Sequence, residues 1–332
     1  IAPAPAGSTP ATLTTTLSNS NVVKTYDGSL SAPAGFVPTY SVSGLVAGDS
    51  AASIGHGAAV YDSAHVIGAS EVTVSGLALT GVSGNLASAP SDYVLASRAN
   101  TVAAQISAKA VAVSGLAASA KVYDGSTAVQ ISDWGTAATG VGSEQLTLLA
   151  GSAQFDAPSA GGARGVTASG YRLADSANAL ASDYVLSSTS ATTSADIHRA
   201  PLTVAANADA KIVTQADAAG YNGISASGFV NGETAHTAAG WTAGSISRSN
   251  AGTESAGSYG GVLVPSGWSA DNYSVQYAHG SYTIVPAQQL LIRVNNQTTT
   301  YGADPSFSLG SAQYLSSGNV LTTLTASQQV GN

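Results

Sequence analysis

Cysteine and methionine are both absent from this chain, and charged side chains make up only 8% of its 332 residues. Without cysteine there can be no disulfide bonds, so packing and hydrogen bonding must hold the fold together. An average soluble domain carries about a quarter of charged residues, so we expect a polar but largely uncharged surface. Because the sequence lacks methionine, we expect it to be an internal or processed fragment of a longer protein.

Positive charge is especially scarce. Lysine and arginine together number 10 against 18 acidic residues, which leaves a net charge of −8. The basic residues lie singly, so no cluster is available to neutralise phosphates, and nucleic acid is excluded as a partner. Binding to a membrane surface is disfavoured for the same reason. No apolar run approaches the roughly 20 residues that span a bilayer, so we expect no membrane insertion.

Two motifs repeat along the chain. Lys-Thr-Tyr-Asp-Gly at 24–28 returns as Lys-Val-Tyr-Asp-Gly at 121–125, and Ser-Asp-Tyr-Val-Leu at 91–95 returns at 182–186. Repetition at a period of about 90 residues indicates tandem domains, and arrays of such domains usually span distance rather than perform chemistry.

A third, more distant repeat begins near residue 202. Its Ser-Gly-Phe-Val-Asn-Gly-Glu-Thr at 227–234 restates the segment at 43–50, and the spacing of 94 residues pairs Gly48 with Gly142 in the second repeat. The landmarks predict a linker and four β domains, the last of them partial, at 1–17, 18–110, 111–200, 201–287 and 288–332.

Alternation of apolar and polar residues predicts strands throughout. Segments 273–277 and 282–285 alternate on either side of a turn at 278–281, which predicts a hairpin. The stretch at 102–112 and its counterpart at 193–204 are also predicted to be strands. We therefore expect an all-β fold of tandem, β-sandwich-like domains. A β-grasp-like arrangement with one short helix is the alternative, especially for the third repeat.

Short segments join each repeat to the next without a flexible Gly/Ser linker, at 106–111, 197–202 and 284–290. Two of them contain proline, which resists bending. The domains are therefore expected to stack end to end as a stiff rod.

The order of these landmarks resembles a known family. Lys-x-Tyr-Asp-Gly, then Val-x-Val-Ser-Gly-x-x-Leu, Asp-Tyr-x-Leu and a closing Ile-x-x-Ala resemble the YDG domain, best over 18–108 and 115–200. The third repeat is similar to the related MBG domains, and Tyr301-Gly302 resembles the start of another. The resemblance covers nearly the whole chain, although Gly142-Ser143 and the segment at 211–215 depart from the pattern.

Both families occur in tandem in very large bacterial surface and secreted proteins. Many of these resemble filamentous-haemagglutinin-type adhesins that are exported by two-partner secretion, including adhesins of the biofilm matrix. The resemblance therefore implies a secreted or cell-surface location, an outer-membrane export partner, and attachment to polysaccharide or to a host or bacterial surface.

Asp27 and Asp124 lie between tyrosine and glycine in the repeated motif. In the simpler interpretation each carboxylate accepts backbone N–H groups of a turn whose glycine, Gly28 or Gly125, has a positive φ. The alternative is a structural Ca²⁺ site completed by the aspartates of the closing motifs, Asp92 and Asp183. No local Asp-x-Asp-x-Asp spacing supplies the six to eight oxygens that Ca²⁺ takes, so we expect no cofactor and no metal.

Aromatic residues divide into repeated and unrepeated sets. The repeated tyrosines are expected to be core residues, since each supplies much of the buried apolar area in an alanine-rich interior: Tyr26, Tyr123, Tyr93, Tyr184 and Tyr273. The three tryptophans, Trp134, Trp241 and Trp268, have no counterpart in the other repeats, which makes them the candidates for ligand contact.

Catalytic signatures are missing from the sequence. The histidines are scattered without metal-ligand spacing, no Gly-x-Ser-x-Gly elbow occurs, and the glycine-rich segments lack a phosphate-loop lysine. We therefore expect no enzymatic activity and no catalytic residues. The favoured function is an extracellular stalk segment of an adhesin. The alternative is carbohydrate binding by the domains themselves, through loops that do not repeat.

Overall fold

The computed structural model describes residues 9–84, 88–295, 300–304 and 307–324. Within these ranges the regular elements are β-strands and two short 3₁₀ turns, Pro90–Asp92 and Ala181–Asp183. The all-β prediction is confirmed. The short helix of the β-grasp-like alternative is absent from the third repeat, because residues 201–287 are all described and contain no α-helix. The described residues include no apolar helix of the length needed to span a bilayer.

The strands of the first repeat are β1 (Ala11–Leu17), β2 (Val22–Thr25), β3 (Tyr40–Ser43), β4 (Ala51–Gly55), β5 (Ala59–Tyr61), β6 (Glu71–Ser75), β7 (Ala78–Ser83), β8 (Tyr93–Leu95) and β9 (Ala99–Ser107). They form sheets of order β3-β1-β8, β2-β9-β6-β5 and β4-β7. The pairs β1/β8 and β2/β9 are parallel, whereas the other pairs in these sheets are antiparallel.

The strands of the second repeat are β10 (Lys109–Val111), β11 (Val113–Ser114), β12 (Ala117–Ala118), β13 (Lys121–Val122), β14 (Ile131–Asp133), β15 (Thr136–Ala137), β16 (Thr147–Leu149), β17 (Ser152–Phe155), β18 (Gly161–Ser169), β19 (Arg172–Ala174), β20 (Tyr184–Leu186) and β21 (Ser190–His198). They form the sheets β10-β20, β11-β15, β12-β14, β16-β19 and β13-β21-β18-β17. The four-stranded sheet has the same order as β2-β9-β6-β5 of the first repeat.

The strands of the third repeat are β22 (Ala200–Ala206), β23 (Asp209–Ile212), β24 (Ile224–Ser227), β25 (Ser245–Arg248), β26 (Gly257–Ser266), β27 (Tyr273–Ala278) and β28 (Gly280–Val285), and the residues after it form β29 (Leu291–Val294), β30 (Leu309–Leu315) and β31 (Leu321–Thr323). The third repeat has two sheets, β24-β22-β27 and β23-β28-β26-β25, and the strands after it form the sheet β29-β30-β31.

The chain forms two compact units, and these units do not coincide with the repeats. One consists of residues 1–118, 131–154 and 167–193, and the other of residues 119–130, 155–166 and 194–332. In the first unit a single hydrophobic core contains side chains of both the first and the second repeat, among them Tyr26, Val141 and Tyr184. Consecutive repeats in this unit therefore share buried apolar surface, which stabilises them together.

The prediction that residues 1–17 form a linker is wrong for 11–17, which form β1; residues 1–8 lie outside the described ranges. In β1 the side chains of Leu13, Thr15 and Leu17 are buried and alternate with exposed threonines. The strand pairs in parallel with Tyr93–Leu95. The preceding Ala/Pro-rich composition concealed a strand that begins directly after it.

The predicted hairpin at 273–285 is also wrong. Strand β27 pairs with β22, whereas β28 pairs with β23 and β26 in the other sheet of the same repeat. The residue at the crossing is Gly280, where an added Cβ would lie 2.5 Å from the carbonyl oxygen of Ala206. Two alternating segments around a glycine turn are compatible with either arrangement, because alternation reports burial and not the identity of the neighbouring strand.

Candidate functional site

The Lys-x-Tyr-Asp-Gly motif of the first repeat is a turn built around a buried lysine. Lys24 is 8% exposed. Its Nζ donates hydrogen bonds to Asp27 Oδ1 at 2.7 Å and to the carbonyl oxygen of Ser29 at 2.6 Å. Asp27 Oδ1 also accepts the Ser29 backbone N–H at 2.9 Å, and Gly28 has a φ of +76°. Burial alone would raise the pKa of Asp27, but the Lys24 and Ser29 hydrogen bonds hold it below its usual value.

The second repeat builds the same turn. Lys121 Nζ lies 2.8 Å from both Asp124 Oδ1 and the carbonyl oxygen of Ser126, and Gly125 has a φ of +77°. The hydrogen bond from Lys121 lowers the pKa of Asp124 to about 2. Each of these aspartates thus pairs with a lysine of its own motif. No group of three or more His, Cys, Asp or Glu with metal-binding geometry occurs among the described residues.

The tyrosine of the first turn projects onto a carboxylate of the second repeat. Tyr26 Oη donates to Glu144 Oε1 at 2.8 Å, and Tyr184 Oη donates to Glu144 Oε2 at 2.6 Å. The two rings meet edge to face with centroids 5.3 Å apart. Burial, followed by the hydrogen bond to Glu144, raises the pKa of both tyrosines, so both remain neutral donors at physiological pH. All three residues belong to the first compact unit.

An equivalent arrangement joins the second repeat to the third. Tyr123 Oη donates to Glu233 Oε1 at 2.7 Å, and Tyr273 Oη donates to Glu233 Oε2. The Tyr123 and Tyr273 rings again meet edge to face, at 5.7 Å. Burial and the hydrogen bond to Glu233 raise the pKa of Tyr123 to about 12. This junction lies wholly within the second unit. We call each Tyr–Glu–Tyr arrangement a junction triad.

A second polar contact accompanies each junction triad. The fully buried Asp183 accepts a hydrogen bond from Val66 N at 2.7 Å, and His65 Nδ1 lies 2.6 Å from its other oxygen. At the same position of the third repeat, Asn272 accepts the Ala160 backbone N–H at 3.0 Å. The residue before the closing tyrosine therefore contacts the preceding repeat in both cases.

Sequence reasoning placed the repeated tyrosines in the core but missed both glutamates. Backbone bonds align the three acidic positions, since Asp49, Glu144 and Glu233 each donate N–H to the carbonyl of a valine three residues earlier. The pattern Val-x-x-acid was thus the available signal. Gly142 is consequently the counterpart of Ala47 and not of Gly48, so the assumed pairing was one residue out of register.

The third repeat ends differently. Val213 occupies the position of Tyr26, because its N–H bonds the carbonyl of Val285 just as Tyr26 N–H bonds that of Ser107. The nearby Lys211 is 5% exposed and pairs with Asp217 at 2.9 Å and with Glu254. Both carboxylates also bind the guanidinium of Arg248.

Arg248 completes this ionic cluster. Its Nε lies 2.9 Å from Asp217 Oδ2, its Nη2 lies 2.6 Å from Glu254 Oε1, and its guanidinium stacks 5.0 Å above the Tyr282 ring. Towards the residues that follow the third repeat, Arg293 Nη1 donates to Asp209 Oδ1 at 2.6 Å, and Arg293 Nη2 donates to the carbonyl oxygen of Ala210.

The three tryptophans are divided between the two units. Trp134 belongs to the first unit, is 36% exposed and packs against the Tyr171 ring with centroids 6.3 Å apart. Trp241 and Trp268 belong to the second unit and flank the Thr242–Ser269 bridge. Each is half-buried and contacts a neighbouring aromatic ring, Phe229 for Trp241 and Tyr277 for Trp268.

The family comparisons agree with the repeat structure. The model of the YDG domain matches residues 9–100 and 107–193, and the model of the MBG domain (YGX type) matches residues 202–283. No curated protein and no solved structure matches the chain.

Proposed function

The chain belongs to the YDG domain family and continues into an MBG domain, and on that premise we propose that it is a stalk segment of an extracellular bacterial adhesin. The segment spaces or displays a binding region of its parent protein. In this proposal it is secreted to the cell surface with an outer-membrane export partner, and the parent attaches cells to a surface or to matrix polysaccharide, as in a biofilm. YDG and MBG are repeat-type β domains without catalysis, which supports a mechanical role.

The observation that carries the proposal is the recurrence of the junction triad. A single residue, Ala108, separates β9 from β10, and Arg199 alone separates β21 from β22. At each connection a buried tyrosine binds a carboxylate of the next repeat. Hydrogen bonds to charged groups are about twice as strong as neutral ones, so these contacts resist bending at the connection. A segment that serves as a spacer needs this property.

Carbohydrate binding is the second candidate, and one observation favours it. A groove of about 570 Å³ lies in the first unit, lined by residues between Gly135 and Leu148, directly after the half-exposed Trp134. Thr136, Thr139 and Glu144 are among its lining residues, and Trp134 precedes the first of them in the sequence. Ligand pockets usually combine aromatic and apolar side chains with a few polar groups.

Replacing one repeat by another in the parent protein distinguishes the two proposed functions. Residues 109–199 are either deleted or replaced by a second copy of residues 11–108, which keeps the connections because Ala11, Lys109 and Ala200 begin equivalent strands. A spacer predicts that adhesion of cells survives the replacement and falls with the deletion. If replacement abolishes adhesion as fully as deletion does, the second repeat binds ligand and the stalk proposal is wrong.

A glycan screen with the purified chain tests the second candidate directly. It is run against matrix polysaccharides with Ca²⁺ and with chelator, and it compares Trp134→Ala with Leu149→Ala, an exposed apolar residue of the same unit. Saturable binding that is lost only in Trp134→Ala would establish a carbohydrate site. Absence of binding in both conditions supports the spacer.

A further inference from the structure

Each repeat that receives the Lys-x-Tyr-Asp-Gly turn of the repeat before it does so with the same kinds of residue. These are an apolar residue, an acid three residues later, and the closing tyrosine with the polar residue before it. We call this set the receiving surface, and its members are Val141, Glu144, Asp183 and Tyr184 in the second repeat, and Val230, Glu233, Asn272 and Tyr273 in the third.

The first repeat carries the same set as Val46, Asp49, Asp92 and Tyr93. Asp49 N–H bonds the carbonyl of Val46 at 3.1 Å, as Glu144 N–H bonds that of Val141 at 3.0 Å. Val46 N–H bonds Tyr93 Oη at 3.2 Å, and Tyr93 Oη in turn donates to Asp49 Oδ2. Asp49 is one methylene shorter than glutamate, yet it reaches the closing tyrosine in the same way as Glu144 and Glu233.

Where a turn is docked, the receiving surface is covered closely. Val141 is only 8% exposed, and a Cβ added to Gly28 would lie 2.8 Å from Val141 Cγ1. In the second unit a Cβ added to Gly125 would lie 2.5 Å from Asn231 Nδ2. The glycine of the motif is therefore required both by its positive φ and by contact with the next repeat.

The receiving surface of the first repeat differs in the exposure of its valine and in the partner of Asp92, which accepts the Ala89 backbone N–H of its own repeat, whereas Tyr93 is about as buried as Tyr184. Val46 is 44% exposed, against 8% for Val141 at the equivalent position. The surface is acidic through Asp49 and Asp92, which suits an incoming tyrosine hydroxyl and backbone N–H groups.

From this equivalence we infer that the receiving surface of the first repeat is a docking site for the Lys-x-Tyr-Asp-Gly turn of a further YDG domain. The incoming tyrosine donates to the Asp49 carboxylate and packs edge to face on Tyr93, while the glycine covers Val46. The corresponding end of the third repeat is not the partner, since Val213 stands in place of the tyrosine. The tyrosines of both turns in this chain are already bound to Glu144 and Glu233.

The test adds a donor domain and measures coverage of Val46. A second copy of residues 11–108 is placed directly before Ala11 of the full chain, which reproduces the connection between Ala108 and Lys109. Because the chain contains no cysteine, the single substitution Val46→Cys in the original first repeat gives a clean thiol probe. We expect its rate of alkylation to fall about tenfold or more in the extended chain. Tyr26→Ala in the added copy is expected to restore the rate.

Two further variants serve as controls. Val23→Cys, 49% exposed on β2 of the same repeat, is expected to react equally in both chains. In the unextended chain, the thiol of Val141→Cys is expected to be protected from alkylation. Adding Tyr26→Ala to that variant is expected to expose the thiol. A second extension made from residues 109–199, with Tyr123 as donor, guards against a failure of the first copy to fold.

The inference is overturned if Val46→Cys reacts at the same rate with and without either extension while Val141→Cys is protected. It is equally overturned if protection persists when the donor tyrosine is removed, because the turn would then not be what covers the surface. Neither result depends on adhesion, so the outcome is independent of the stalk proposal.

Discussion

Lys24 and Lys211 occupy the same strand position in the first and third repeats, each beside an isoleucine of the parallel partner strand, Ile106 or Ile284. Both are nearly buried. In the YDG domain the ammonium lies over the Tyr61 ring and forms an ion pair with one aspartate of the adjoining turn. In the MBG domain an arginine, Arg248, replaces the aromatic ring. Two carboxylates from other loops form ion pairs with both Lys211 and Arg248.

The difference shows that the charge of a buried lysine at one strand position can be paired in two ways, with different consequences for that end of the domain. When a local aspartate satisfies the lysine, the turn is tight and its tyrosine projects onto the next repeat. When distant carboxylates satisfy it, the turn has no such aspartate, and the position of the tyrosine is occupied by Val213. The YDG end therefore binds its neighbour through the junction triad, whereas the MBG end uses its charges to hold its own loops.

Among the variants considered, Arg248→Met is expected to lower the free energy of unfolding most. The side chain is 1% exposed, and its loss leaves Asp217 and Glu254 with Lys211 as their only cation among the described contacts. Because both carboxylates are partly exposed, we expect the loss to come mainly from the hydrogen bonds of the buried guanidinium, including those to the carbonyl oxygens of Thr253 and Ala251, and to reach about 3 kcal/mol. Denaturant unfolding followed by fluorescence of Trp241 and Trp268 should show this loss. The exposed Arg199→Met in the same unit should change stability by less than about 0.5 kcal/mol. Equal effects of the two variants would contradict the ionic cluster.

Glu144→Ala is expected to be next in size. It removes the acceptor of two tyrosine hydroxyls, and hydrogen bonds to a charged group contribute about 1.5–3 kcal/mol each. We expect a loss of about 2–3 kcal/mol, read from Trp134, the one tryptophan in the residues of the first unit. The neighbouring Gln145→Ala, with an exposed side chain, is the matched control. A loss no greater than that of the control would show that the junction triad contributes nothing to stability.

Alkaline pH acts on the YDG end through the tyrosine of its junction triad, which the MBG end lacks. The folded state raises the pKa of Tyr123 from 10.0 to about 12. A group whose pKa is raised on folding stabilises the fold below its unfolded pKa and loses that contribution as pH rises towards the folded value. The junction should therefore weaken between pH 10 and pH 12. The difference in phenolate absorbance between the wild type and Tyr123→Phe should titrate near the upper limit of this window. Titration at the lower limit would mean that Tyr123 is not held by Glu233.

The smallest effect is a gain in stability. Thr214, at the turn of the MBG end, has a φ of +77°, a conformation that is strained for a β-branched residue. Thr214→Gly is expected to stabilise the chain by about 1 kcal/mol. Gly28→Ala, at the YDG end, is expected to destabilise it by more than that amount, because a Cβ there also meets Val141. Both are measured by thermal unfolding, and a destabilising Thr214→Gly would show that the threonine side chain makes a required contact.

Several features were predictable because they depend on residues close together in sequence. The repeats, the all-β class and the strands at 102–112 and 193–204 follow from motif order and alternation. The strand Ala11–Leu17 was missed beside its Ala/Pro-rich neighbour. The hairpin at 273–285 was predicted wrongly, since alternation does not identify which sheet a strand joins.

The junction triad could be predicted only in part. The tyrosines repeat in register, so their burial was expected, but a core tyrosine and an interdomain tyrosine have the same sequence pattern. Glu144 lies 118 residues from Tyr26, and Glu233 lies 110 residues from Tyr123. Only the folded chain brings these partners together.

By itself, the sequence determined the number and order of the repeats, their β class and the identity of the turn, since local propensities and motif spacing decide these. The tertiary structure alone decided which tyrosine meets which carboxylate, and that the YDG and MBG ends use their buried lysine differently. The physical reason is that a buried hydroxyl or ammonium must find an acceptor. Within the sequence many acceptors are available, and packing selects one of them.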